Sequence, residues 1–140
     1  MTILHLGVLD THEPNGEETH FVATILEDKY GLFSKFAESN EQKIADQLAD
    51  SVQNALETIL SGGHAPDPFA ECCEEINQDF RDFLDKEVMA TLGVPGVPTK
   101  AALKGRSKRF KRSRGPRRPS FIDSGVLQAS FKSWVTNGQY

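Results

Sequence analysis

A mainly helical α+β domain is the fold class this sequence predicts: a short N-terminal strand, three amphipathic helices, a long basic loop and a C-terminal aromatic anchor. Three observations carry that reading. An apolar run opens the chain at residues 2–9, apolar residues then recur at helical spacing from His20 to Val88, and residues 100–118 hold ten cations and no acid. The chain has 140 residues, enough for one domain that buries roughly 70% of its unfolded surface. Composition divides it into an acidic, mainly helical body (1–92), a Gly/Pro linker with a basic arm (93–118) and a C-terminal anchor segment (119–140).

Thr2-Ile-Leu-His-Leu-Gly-Val-Leu9 reads as the strand, closed by a polar stretch with the turn signal Pro14-Asn15-Gly16. Val22, Ile25, Leu26, Phe33, Phe36 and Ala37 then form one helical stripe behind Thr19 as N-cap. Gly31 falls on the polar side of that wheel and is expected only to weaken the helix. Ser39 or Asn40 starts a second helix, and Ser39-x-x-Gln42 fits a capping box there. Its Ile44, Ala45, Leu48, Ala49, Val52, Ala55, Leu56, Ile59 and Leu60 fill an arc of about 160°, the width of a helix face against a core. Ser61-Gly62-Gly63 stops it.

Asp67 as N-cap and Pro68 at the first helical position start a third helix, with Phe69, Cys72, Cys73, Ile76, Phe80, Phe83, Leu84 and Val88 as its apolar members. Glu71, Glu74, Glu75, Asp79, Asp82 and Asp85 line the opposite flank. They form either a solvated face or an acidic docking face for a cationic partner. Gly93-Val-Pro-Gly-Val-Pro98 ends the helical body. The basic run repels itself and contains Gly and Pro, so it is expected to stay an extended arm until an anion meets it. Beyond it, Asp123 or Ser124 caps a last helix carrying Val126, Leu127, Phe131, Trp134 and Val135 on one side. A strand there would set Trp134 against Lys132 in alternation, so helix is preferred. Phe121, Leu127, Phe131 and Trp134 are the expected anchor.

Charge is divided sharply along the chain. Residues 1–99 carry nineteen acidic and five basic side chains, whereas residues 100–140 carry eleven basic side chains and one acid, Asp123. The formal net charge of −4 conceals this asymmetry, which points to an electrostatic partner.

Several chemistries lack their residues. No apolar run reaches the ~18 residues of a membrane span, and the N-terminus lacks the basic region and cleavage site of a secretory signal. Cys72 and Cys73 are sequence neighbours, so a reduced pair of small buried hydrophobes is expected. His5, His12, His20 and His64 have no metal-ligand spacing, so neither metal nor other cofactor is expected. Asp10-Thr-His-Glu13 reads as solvated surface. Asp123-Ser124-Gly125 has the form of an aspartic-protease signature, but too little chain follows for the lobe that such a site needs. No catalytic residues, enzymatic activity or small-molecule substrate are expected.

The basic run is where function is expected. Its candidate contact residues are Lys104, Arg106, Lys108, Arg109, Lys111, Arg112, Arg114, Arg117 and Arg118. They could meet nucleic acid through backbone phosphates, with a steep salt dependence. Phe110 alone makes a poor base-stacking platform. Alternatively the acidic helix of one copy receives the arm of the next, a head-to-tail contact that closes into a ring.

At Pro119-Ser-Phe-Ile-Asp-Ser-Gly-Val-Leu-Gln-Ala-Ser-Phe131 the chain resembles small neck and tail-completion proteins of tailed bacteriophages, contractile-tailed and Mu-like. These carry a Pro-x-x-x-Asp-Thr/Ser-Gly-x-Leu-x-x-Ser segment after a basic, irregular stretch. The helix bearing Ile44 to Leu60 is similar to the long helix before that loop, and Ile25-Leu-Glu-Asp-Lys-Tyr30 is similar as well. The resemblance implies a non-enzymatic, ring-forming virion subunit at the head–tail junction, assembled in the host cytoplasm. Its implied partners are copies of itself, other neck and tail proteins and DNA, with no membrane. Many relatives continue into further strands past the Ser-Phe position, whereas here Tyr140 is the last residue, which leaves a baseplate or tail-tip ring open. A nucleic-acid-binding accessory protein outside the virion is the reading that dispenses with the ring.

Overall fold

The computed structural model describes residues 2–11, 16–107, 111–122 and 125–137. It is α+β and mainly helical, with a strand at each end of the described chain. Strand β1 (Thr2–Val8) is followed by α1 (Thr19–Tyr30), α2 (Leu32–Ser39), α3 (Glu41–Leu60) and α4 (Ala70–Asp85). The short helices α5 (Val88–Thr91), α6 (Lys100–Leu103) and α7 (Val126–Ser130) come next, and β2 (Phe131–Asn137) closes the order.

Gly31 breaks the first predicted helix into α1 and α2. It adopts φ +66°, the left-handed region that favours glycine, and its N–H bonds the Glu27 carbonyl at 2.7 Å. The expectation that it would merely weaken a continuous helix is therefore corrected. The Glu27 carboxylate completes the corner by accepting from the backbone N–H of Phe33 (2.7 Å) and from Ser34. The turn lets Leu32 and Phe36 enter the core, both fully buried.

The caps also differ from expectation. Thr19 is the first buried residue of α1 rather than its N-cap, which is Glu18. Its hydroxyl donates to the Thr11 carbonyl at 2.9 Å. Asn40 caps α3 without the capping-box bond. Asp67 accepts the Phe69 N–H at 3.1 Å, so it caps a turn that precedes α4.

A second correction concerns residues 131–137, which form a strand rather than the end of a helix. β1 and β2 pair antiparallel, from Thr2 opposite Asn137 to Val8 opposite Phe131. Phe131 and Ser133 face the core while Trp134 faces out, 45% exposed and stacked on His5 at 5.3 Å. Trp134 is thus no core anchor; of the four anchor residues Leu127 and Phe131 are buried, and Phe121 is half-buried against Tyr30. The sheet draws the acidic body and the C-terminal segment into one core.

That core is an aromatic cluster. Phe80 and Phe131 stack at 4.0 Å between centroids, and Phe36 meets Phe80, Phe83 and Phe131 edge-on at 5.2, 5.4 and 5.7 Å. Such pairs add ~0.5–1.5 kcal/mol each beyond the area they bury. Ile76, Leu84 and Met89 close the cluster. Among the described residues no helix is long and apolar enough to cross a membrane.

Candidate functional site

The basic run is folded, which corrects the expectation of an extended arm. Ser107 and Arg112 exchange backbone hydrogen bonds at 2.8 and 2.7 Å, making a hairpin behind α6. The Gly115 N–H reaches the Lys104 carbonyl at 3.0 Å, and the Arg118 N–H reaches the Ala102 carbonyl at 3.1 Å. Gly105 lies against the chain where it returns: its φ is +61°, and a Cβ there would collide with the Gly115 carbonyl carbon and the Pro116 carbonyl oxygen. Ser120 holds the base by accepting the Thr99 N–H at 3.1 Å.

Three of the expected contact cations are spent on this fold. Arg112 Nε donates to the Gly105 carbonyl at 2.7 Å. The Arg118 guanidinium donates to the carbonyls of Ile122 and Arg106, each at 2.9 Å, and Arg117 pairs with Glu87 of the body at 3.0 Å. Carbonyls and one carboxylate thus absorb cations that composition alone leaves to repel one another. Lys104, Arg106, Lys111 and Arg114 remain exposed on the hairpin. Lys108 and Arg109 lie outside the described residues, as do Asp123 and Ser124, the expected cap of the last helix.

The predicted acidic docking face is likewise partly occupied. Asp79 is mostly buried, its carboxylate accepting from Lys43 at 2.7 Å and Gln47 at 2.9 Å, so it ties α4 to α3. Asp85 accepts from Gln128 at 3.0 Å, tying α4 to α7. Asp82 accepts from Gln78 at 3.1 Å. Glu71, Glu74 and Glu75 stay exposed at the N-terminal end of α4, with Arg81 3.5 Å from Glu74. Asp79 and Asp85 thus bond neighbouring elements and Asp82 bonds within α4, which leaves Glu71, Glu74 and Glu75 as a short exposed acidic end.

The largest departure lies on α3. Of its predicted core stripe, Ile44 is buried and Leu48 half-buried. Beyond Ser51 only Ala55 is even half-buried, and Val52, Leu56, Ile59 and Leu60 are 49%, 55%, 55% and 77% exposed. Periodicity identified the apolar face, but nothing local to the helix says that α4 covers only its first half.

Two further polar groupings stand out among the described residues. Asp10 and Glu18 bracket His20 at 3.1 and 3.3 Å, all three exposed. Cys72 and Cys73 are free thiols. Burial pushes the Cys73 thiol pKa up, and a hydrogen bond from Ser133 acts in the opposite direction. No protein-family model, curated protein or solved structure is significantly similar to this chain.

Proposed function

We propose that this chain is a non-enzymatic structural subunit whose copies join into a ring in the neck or tail of a tailed bacteriophage particle. The resemblance at residues 119–131 supplies the class, and the bare apolar stripe of α3 is the observation that carries the need for neighbours. Fully burying one Val, Leu or Ile is worth ~1.5–3 kcal/mol relative to exposure. Four such residues left open on consecutive turns forgo on the order of several kcal/mol, which a neighbouring subunit would recover. The hairpin of one copy would meet the Glu71, Glu74 and Glu75 end of the next α4, a heterologous contact that closes a ring.

Light scattering of the purified protein across a concentration series tests this reading. Self-association that Leu56→Asp with Ile59→Asp abolishes, without loss of folding, is the expected result; a monomer at every concentration sinks it. Arg106→Glu, Lys111→Glu and Arg114→Glu together should block particle assembly, since these three side chains are not needed to fold the hairpin.

One observation favours a second reading: four exposed cations, Lys104, Arg106, Lys111 and Arg114, lie on a hydrogen-bonded basic segment and suit phosphate backbones. A nucleic-acid-binding accessory protein would be a monomer whose DNA affinity falls steeply with salt.

A further inference from the structure

Among the described residues the outer edge of β1 has no strand beside it. Ser133 directs its N–H at Asn77 of α4 (2.7 Å), away from β1, and the Leu9 N–H bonds the Ser130 carbonyl at 2.8 Å. With Leu6 opposite Ser133, this register turns Ile3, His5 and Gly7 toward β2. The backbone N–H and C=O of Leu4, Leu6 and Val8 therefore point outward, with no hydrogen-bond partner among the described residues. α4 covers the far edge of β2, whereas no described residue hydrogen-bonds that of β1. The strand also has no Lys, Glu or Pro, the residues that natural edges use to repel a visiting strand.

A groove runs along this edge. Its lining joins Leu6, Gly7 and Val8 of β1 to Phe33 of α2 and to a face of α1 that presents Ala23 beside the polar His20, Thr24, Glu27 and Asp28. Its volume is about 350 Å³, and no β2 residue lines it. A strand edge facing a helix across a groove is the geometry of β-strand addition: main-chain bonds hold the guest, and its alternate side chains fill the groove. We propose that β1 and α1 receive an extended segment of a partner protein, apolar at alternate positions and flanked by cations.

Charge selects the flanks. Asp28 lines this groove and is exposed, Asp10 and Glu18 bracket the lining His20, and residues 1–99 carry nineteen acids and five bases. α1 selects a lone segment over a second copy's β1, because that strand would bring its own α1 to the same side of the sheet. The inference stands apart from the ring, since neither the α3 stripe nor the hairpin takes part in it.

The probe is a capped heptapeptide, Lys-Val-Thr-Val-Thr-Val-Lys, added to the full chain at a concentration where the protein is monomeric. The expected result is at least tenfold slower amide hydrogen exchange at Leu4, Leu6 and Val8. Methylating the Val nitrogens should abolish the protection for an antiparallel guest, and methylating the Thr nitrogens for a parallel one. Thr24→Trp, at an exposed position that leaves the core untouched, should close the groove and abolish it too. Unchanged exchange, equal protection by both methylated peptides, equal protection by a peptide with Glu in place of Lys, or undiminished protection in Thr24→Trp would each overturn the proposal. So would protection that rises with protein concentration in the absence of peptide, which would make a second copy the occupant.

Discussion

The Asn77 side chain on α4 takes the place of a third strand for Ser133 on β2. Its Oδ1 accepts the Ser133 N–H at 2.7 Å, and the Ser133 hydroxyl lies 2.9 Å from both that oxygen and the Cys73 carbonyl, its single proton serving one at a time. Both residues are buried. Asn77→Ala leaves a buried N–H unpaired, a cost of about 1–3 kcal/mol. Urea denaturation should show that loss at unchanged m-value.

Phe131 is fully buried, stacked on Phe80 and touched edge-on by Phe36. Phe131→Ala removes the β2 ring that, among the described residues, stacks with the aromatic rings of α2 and α4. A loss of about 3–5 kcal/mol is expected, and a milder one for Phe131→Leu, which keeps most of the volume. Thermal unfolding of the two variants side by side checks the order.

Gly105 permits the close return of the basic hairpin. Gly105→Ala meets both a left-handed φ and a backbone collision, so the hairpin should open while the aromatic core stays intact. Faster hydrogen exchange at Gly115 and Arg118, with no change at Phe80 or Phe131, is the expected signature.

The raised pKa of Cys73 has a definite sign. The folded state holds this proton more tightly than the unfolded chain, so the stability linked to it is complete below the unfolded thiol's pKa. It is lost as pH climbs through the folded value. Alkylation of Cys73 in the folded protein at pH 8 should be slower than in the urea-unfolded chain and should accelerate with rising pH. Mass spectrometry of the labelled peptide reads both rates.

The fold class was legible because helical spacing persists over long windows, as in Ile44 to Leu60 and Phe69 to Leu84. β2 was not, because Phe131 and Val135 suit a short helix as well as a strand. What decides between them is β1, some 130 residues away in sequence. Gly31 was read on the polar side of one continuous wheel, but a wheel has no entry for a left-handed residue, and the helix breaks there. The hairpin escaped notice for a related reason: composition counts its charges, whereas its order comes from carbonyls that accept from Arg112 and Arg118. For α3 the apolar face could be read and its covering could not, since coverage depends on where α4 lies.

The pairing of β1 with β2 has a consequence for synthesis on the ribosome. Thr2–Val8 is made before the seven described helices, and its complement, Phe131–Asn137, only after them. The nascent chain must therefore carry an unmatched, sticky ribbon while all of those helices are synthesised, and the sheet clasps shut only once its second strand has left the ribosome.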